Sequence, residues 1–470
     1  MSAATRVTVG TFWTADRVAA ALEQCSSVNL PRGTVGFNRV WTDTRTIEPG
    51  DLFVALVGEK FDAHDFLRDA VANGATGIVV SRMDGTQGIG VPVWQTDDTL
   101  VALGALATYR RRAWNQPVVG VVGTNGKTST KELIKAALGS VLNVHATAGN
   151  FNNLIGVPLT LLSIPDGAEV AVVEMGTNQP GEVATLRAIV EPTIVAVTSI
   201  GEEHLEGLGD LAGVLREEIA AVDEAQVAIV PASQPEVGAA AKGRATRVVS
   251  AGLDSGDLMP SSWRVAADGH GELTLDGVEV RVPLNGAHNL RNAMIAFAVA
   301  RELGVSVGDA ARGIADMPLP KMRVNIEQLG AATLINDAYN SNPPSARAAI
   351  ELLVHTGAGR PRVAVLATML ELGPTAAALH DAVARDALAA GIETVGAIGE
   401  FAAAFDRVAP GDARVVTAAD AEALWPALSS RLLHDAVILL KGSRGMRLER
   451  LVQPITEWAR GHTGGTASDR

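Results

Sequence analysis

The stretch Val118-Val119-Gly120-Val121-Val122-Gly123-Thr124-Asn125-Gly126-Lys127-Thr128-Ser129 decides how this chain is read. An apolar run enters a glycine loop, and a helical pattern over 129–142 follows. Strand, glycine loop, Lys-Thr and helix is the order a nucleoside triphosphate requires. Loop amides and the helix N-terminus face the phosphates, Lys127 brings a mobile positive charge, and the Thr128 hydroxyl can ligate Mg²⁺. The full G-x4-G-K-[ST] spacing is not met, because Val121 stands where its first glycine belongs. Gly120 and Gly123 are left to make the turn. A plain glycine turn with a surface lysine is the bland alternative. Gly-Lys-Thr at such a junction is rarer, so phosphate binding is the expectation.

Outward from the loop, apolar runs recur at 118–122, 170–173, 194–197 and 227–230 with helical patterns between them. That alternation predicts βαβ crossovers and a mostly parallel sheet covered on both faces. The fold class is α/β in three domains. A central domain over 114–316 has a P-loop ATPase-type parallel sheet, and Asp268-Gly269 and Asp276-Gly277 mark hairpins on an antiparallel edge. A helix over 290–303 then stops at Gly304. An N-terminal α/β domain over 1–113 has a helix at 15–24, strands at 53–57 and 77–80, and a helical segment near 63–72. Arg110-Arg111-Arg112 reads as a solvated helix end at its border. A C-terminal domain over 317–457 places strands at 333–335, 363–366, 394–398, 414–416 and 436–440 in an open Rossmann-like sheet without a G-x-G-x-x-G opening. The last segment, 461–470, is small and polar, and 458–470 reads as a disordered tail.

Bulk properties narrow the function. At 470 residues the chain is long enough for about three domains. A net charge of −13 argues against nucleic-acid and membrane-surface partners, so anionic substrates need local Lys, Arg and helix N-termini. One cysteine, Cys25, excludes an internal disulfide framework and reads as a small apolar residue. No signal segment and no run of ~18 apolar residues is present. A cytoplasmic monomer is expected.

Two further elements sit at strand ends, where ligands bind in open α/β sheets. Glu174 closes the run 170–173, and Glu202-Glu203-His204-Leu205-Glu206-Gly207 follows the run 194–197. Carboxylates with one histidine beside Lys127-Thr128 suit Mg²⁺, a hard cation that prefers oxygen ligands. Singly, each would be a loop carboxylate in water.

Six spaced motifs now resemble one family. Gly-Thr-Asn-Gly-Lys-Thr at 123–128, Glu-Met-Gly-Thr-Asn-Gln-Pro-Gly-Glu at 174–182 and His-Leu-Glu-Gly at 204–207 are similar to motifs of the Mur ligases. So are Gly-Ala-His-Asn-Leu-Arg-Asn at 286–292, Asp-Ala-Tyr-Asn-Ser-Asn-Pro at 337–343 and Lys-Gly-Ser-Arg-Gly-Met at 441–446. Asn150-Phe151-Asn152-Asn153, leading to Pro158, points to the member adding D-alanyl-D-alanine rather than a single amino acid. The resemblance extends into the first domain at Thr42-Asp43-Thr44-Arg45 and Gly50-Asp51-Leu52-Phe53, so it covers nearly the whole chain.

The resemblance implies ATP and Mg²⁺ as cofactors, with UDP-N-acetylmuramoyl-tripeptide and D-alanyl-D-alanine as substrates. The γ-phosphoryl would pass to the tripeptide carboxylate, and the amine would displace phosphate from the acyl phosphate. By resemblance the loop Gly123 to Ser129 holds the phosphates, and Thr128, Glu174 and His204 surround the metals. Asn289 and Asn292 hold the adenine side, while Arg323, Asp337, Tyr339 and Asn340 close over the nucleotide. Thr44 and Arg45 meet the uridine nucleotide, and Asn150, Asn152 and Asn153 belong to the substrate side. Lys127, His204, Glu218, Arg323 and Asp337 form the catalytic set.

Three departures stand out. Many Mur ligases carry a carbamylated lysine on the helix after His-Leu-Glu-Gly. Counted without a gap that position is Glu218, whereas anchoring on Glu218-Ile219 makes it Arg216. The expectation is that Glu218 supplies its carboxylate directly, against the alternative of one more exposed helix carboxylate. Ala367-Thr368 stands where relatives often have Gly-Asp, which weakens a role for the following Met369-Leu370-Glu371 loop. Asp62-Ala63-His64 lacks a family glycine, and His380 reads as a packed or solvent-facing helix residue outside the site. Related ligases adding one amino acid, or glutamate to folate, and a non-ligating nucleotide-binding protein are the competing classes. The last predicts damaged catalytic positions, yet Lys127, Glu174, His204 and Asp337 are all present.

Overall fold

Thr14, Asp98, Asp210, Ser306, Asn342 and Asp420 each accept a backbone N–H from the first turn of the helix that follows, and so fix where those helices begin. The computed structural model describes residues 12–58, 60–266, 268–318 and 325–461. They belong to two compact units.

The first unit takes Met1–Val121, Leu142–Thr177 and Gly181–Val195. Its N-terminal sheet pairs Val40–Trp41, Leu52–Val54, Gly77–Val80 and Val93–Gln95 in that order, all parallel. The strand expected over 53–57 is shorter, because Val57 is 60% exposed and makes only an isolated bridge to Asp62. The segment 63–72 is a 3-10 turn, Ala63–Phe66, running into the helix Leu67–Ala72. The three arginines require a correction. They lie in the last turns of the helix Thr99–Trp114, but Arg110 and Arg111 are buried. Arg110 donates to Ile164 O and Asp166, both at 2.7 Å. Arg111 donates to the carbonyls of Val190 and Glu191, both at 3.0 Å, which end the helix Glu182–Val190. The favourable helix end is therefore that of another helix.

The central sheet has the order Arg247–Ala251, Val227–Pro231, Ile194–Val197, Val118–Val122, Val170–Glu174 and Val144–Ala146. Its two outermost strands escape the sequence reading because neither is an unbroken apolar run: Val144–Ala146 is half-buried throughout and Arg247–Ala251 opens exposed. The antiparallel strands expected on its edge are a separate three-stranded sheet, Ser262–Val265, His270–Leu275 and Val278–Asn285. Asp276 and Gly277 turn the second hairpin with φ of 49° and 79°, as a two-residue I′ turn requires.

The second unit takes Val122–Val141, Asn178–Pro180 and Ala196–Arg470. Its Rossmann-like sheet runs Asn325–Leu329, Ala332–Asp337, Val437–Lys441, Arg362–Ala367, Thr394–Ile398 and Val415–Ala418. The antiparallel edge lies here, in Asn325–Leu329, whose mostly exposed side chains carry no strand signal. The remaining pairs are parallel, with Asp337 in register with Lys441 at their C-terminal ends. The helix Val452–Gly461 occupies 458–461, where an irregular tail was expected, and buries Ala459. Residues 462–470 lie outside the described residues.

Candidate nucleotide site

Two glycines set the phosphate loop. Gly123 and Gly126 have φ of 119° and 85°. A Cβ on Gly123 would stand 2.5 Å from Thr198 Oγ1, and one on Gly126 2.8 Å from Asn292 Nδ2. Both the conformation and the space exclude a side chain. Gly120 does not turn the chain as expected. It lies mid-strand without positive φ, and its lack of a Cβ lets Met175 and Pro192 approach. Val121 is a fully buried strand residue.

The loop is held from behind. Thr124 N donates to Ser199 O at 2.7 Å, its Oγ1 donates to Gly201 O at 3.2 Å, and Gly201 N donates back at 3.0 Å. Asn125 N donates to Ser199 Oγ at 3.1 Å. Gly126 is the N-cap of the helix Lys127–Gly139, which places Thr128 and Ser129 in its first turn. Lys127 Nζ folds back to Gly123 O at 2.5 Å and Thr124 O at 3.0 Å, with Glu203 Oε2 at 3.7 Å. A lysine clamped over a loop of amides at a helix N-terminus fits a triphosphate.

Glu218 lies on this loop. It is 3% exposed, and its Oε2 accepts from Gly123 N at 2.8 Å. Burial raises its carboxyl above the ordinary range, opposed by Lys127 and the Gly123 amide. Arg216, the alternative position on the same helix, points into solvent. The exposed-carboxylate alternative for Glu218 does not fit.

His204 and the third-domain motif meet in the second unit. His204 has φ of 52° and caps the short helix Leu205–Leu208; its Nδ1 bonds Glu371, and its Nε2 stands 4.0 Å from Glu203 Oε1. Glu203 Oε1 also accepts from Asn340 Nδ2 at 2.9 Å. Asp337 pairs with the buried Lys441 at 2.9 Å, and Lys441 Nζ donates to Asn340 O at 2.6 Å. Tyr339 lies under the Arg444 guanidinium, 5.6 Å from the ring centre. Loss of hydration holds His288 at about 4, with Asp337 opposing. Asn292 and Asn289 are buried and bonded in series, Asn292 Nδ2 to Asn289 Oδ1 at 3.2 Å and Asn289 Nδ2 to Asn285 O at 2.8 Å. Arg323 lies outside the described residues.

Sequence reasoning missed one contact with a legible signal. Asn125 and Asn342 exchange both amide bonds, at 3.0 and 2.9 Å. Asn342 precedes Pro343 and caps the helix Pro343–Thr356. An Asn directly before a Pro-initiated helix marks an N-cap. Asn342→Ala should cost about 1–2 kcal/mol from the cap, read as a lowered urea midpoint. It should also raise the KM for ATP, since Asn125 loses its partner. An unchanged midpoint would sink the cap assignment. Glu203 was read only as one carboxylate of a cluster suiting Mg²⁺, and Lys441 stood inside a glycine motif without a role. His380 is packed, with Nε2 accepting from Met369 N at 2.9 Å and Nδ1 donating to Ala376 O at 2.7 Å.

In the first unit, Glu174 is 1% exposed and accepts from Asn152 Nδ2 at 2.9 Å. Asn153 Oδ1 accepts from Ile155 N and Gly156 N, so it starts the helix Gly156–Leu162. Asn150 is exposed, and its carbonyl accepts from Asn152 N. Thr44 and Arg45 form a 3-10 turn capped by Asp43, which grips the Arg45 guanidinium at 2.9 and 2.7 Å and whose carboxyl is held below its ordinary range by that contact. The glycine-free turn at Asp62 is firm: Asp62 accepts from His64 Nδ1 at 2.7 Å and Arg82 at 2.8 Å. Among the described residues, no group of three or more His, Cys, Asp or Glu side chains gathers as a metal site.

A clamped lysine on a glycine loop, with a buried carboxylate behind it and a Rossmann-like sheet beside it, defines an α/β enzyme that handles nucleotide phosphates. Residues 121–300 match the Mur ligase middle domain, and residues 322–444 match the Mur ligase, glutamate ligase domain. The chain is 34% identical to the UDP-N-acetylmuramoyl-tripeptide–D-alanyl-D-alanine ligase of Bacillus subtilis, over 89% of this chain and 93% of that one. It is 35% identical to the ligase of the same name from Escherichia coli, over 91% and 96%. The crystal structure of MurF from Acinetobacter baumannii superposes with a TM-score of 0.85 at 31% identity, covering 95% of this chain and 99% of that one. The chain belongs to the Mur ligase family.

Proposed function

We propose that this chain is the ATP-dependent ligase that joins D-alanyl-D-alanine to UDP-N-acetylmuramoyl-tripeptide. The observation that carries this reading is that relatives bearing that name match about nine-tenths of the chain at 34–35% identity. A free carboxylate is a poor electrophile. Transfer of the γ-phosphoryl gives an acyl phosphate and ADP; the amine of the dipeptide attacks the carbonyl, and the tetrahedral intermediate expels phosphate. Lys127 stabilises charge on the transferring phosphoryl oxygens, and the loop amides orient the chain of phosphates. Asp337, Tyr339, Asn340 and Arg323 complete the nucleotide side, and Asn289 and Asn292 shape its adenine end.

Mg²⁺ fits the donors present. Thr128 offers a hydroxyl in the first turn of a helix, and few protein ligands suit a cation that keeps waters and phosphate oxygens. Bound there, it supplies positive charge to the phosphoryl oxygens. Glu174, oriented by Asn152, and His204, oriented by Glu371, are the other proposed ligands. On the uridine side we assign Thr44 and Arg45, and on the tripeptide side Asn150, Asn152 and Asn153. No helix among the described residues is long and apolar enough to cross a membrane. As part of the same proposal, we assign the enzyme to the cytoplasm as a monomer.

Phosphate release is the test, with ATP, the UDP-linked tripeptide and each candidate amine. Release dependent on D-alanyl-D-alanine is the expected result. Release with a single amino acid would assign the chain to the amino-acid-adding relatives, and release without an amine would make it a plain ATPase.

A further inference from the structure

We propose that Glu371 is a positioning residue that fixes the His204 ring by accepting the proton on Nδ1, which sets Nε2 on the side of Glu203. This goes beyond the assignment of His204 and rests on it. The contact is built from both sides. Glu371 and His204 each have a left-handed backbone, φ 64° and 52°, a conformation that side chains other than glycine seldom adopt without a local reason. Glu371 Oε2 bonds His204 Nδ1, and the Glu371 carbonyl accepts from Glu206 N at 3.2 Å. Gly373 lets the loops close, since a Cβ there would stand 3.2 Å from Glu206 Cα.

The Glu371 loop has its own fixed supports. Met369 N donates to His380 Nε2 at 2.9 Å, and Leu370 N donates to Ser443 Oγ at 3.0 Å. A carboxylate accepts only, so the nitrogen it meets must carry hydrogen. The far nitrogen then faces Glu203, which stands between Lys127 and Asn340. A partner that sets the histidine tautomer in this way is worth on the order of 10-fold in rate. The replacement of Gly-Asp by Ala367-Thr368 thus leaves the loop its function: Thr368 Oγ1 accepts from Glu400 N at 3.0 Å, and the acting carboxylate is Glu371.

The test is ¹⁵N-histidine NMR of the full-length protein without nucleotide, with the His204 resonances assigned by their loss in His204→Gln. The expected wild-type ring is protonated on Nδ1. In Glu371→Ala it should become a mixture of tautomers, and in Glu371→Gln, whose amide oxygen still accepts, it should keep the wild-type form. Rates should follow: Glu371→Ala slows the ligase about 10-fold but adds nothing further in a His204→Gln background. A wild-type ring protonated on Nε2, or an unchanged ring in Glu371→Ala, overturns the proposal. If the tautomers behave as expected but no amine supports phosphate release, the assigned function fails and the positioning role stands.

Discussion

Lys127→Met should lower amine-dependent phosphate release about 10²–10³-fold at saturating ATP, the size of one pre-organised charge aimed at a transferring group. The fold should survive. The loop is held by Thr124, Asn125 and their partners Ser199 and Gly201, none of which needs the ammonium. Lys127 donates to the carbonyls of Gly123 and Thr124 and approaches Glu203, contacts that a bound phosphate would take over. Most of the loss should therefore fall on kcat, with a smaller rise in the KM for ATP. A kcat within threefold of wild type, measured by coupled phosphate release, would make Lys127 a structural clamp.

The sequence announces the loop because one short segment carries every part of it: strand, two turning glycines, lysine and helix. Long apolar strands were legible for the same reason, with 118–122 and 394–398 placed to the residue. Edge strands were not, since Val144–Ala146 and Asn325–Leu329 expose or half-expose their side chains. Arg110 and Arg111 misled because charge suggests solvent, whereas both donate to carbonyls, about 54 and 79 residues away in sequence. The same distance hid Glu371, which meets His204 across 167 residues. Motifs name the pieces of this site, but long-range pairings assemble it.

Glu218→Gln should separate stability from activity. Burial raises the Glu218 carboxyl above 4.5, the value it has when unperturbed. Between that value and the folded one, the folded protein keeps a proton that the unfolded chain has released. The stability tied to Glu218 is thus fully present below pH about 4.5 and is lost as pH rises through the folded value. A glutamine cannot ionise, and its Oε1 still accepts from Gly123 N, so the variant should gain stability relative to wild type as pH rises from 4.5 and then level off. Urea midpoints between pH 4 and 8 read this directly. Activity should move the other way, falling about 100-fold, because Lys127 loses the buried negative charge facing it. A variant that keeps full activity at saturating Mg²⁺ would leave Glu218 as no more than a bracket for the loop. A bicarbonate requirement in the wild-type enzyme would also count against it, since that would point to a carbamylated lysine elsewhere doing what a native carboxylate is proposed to do here.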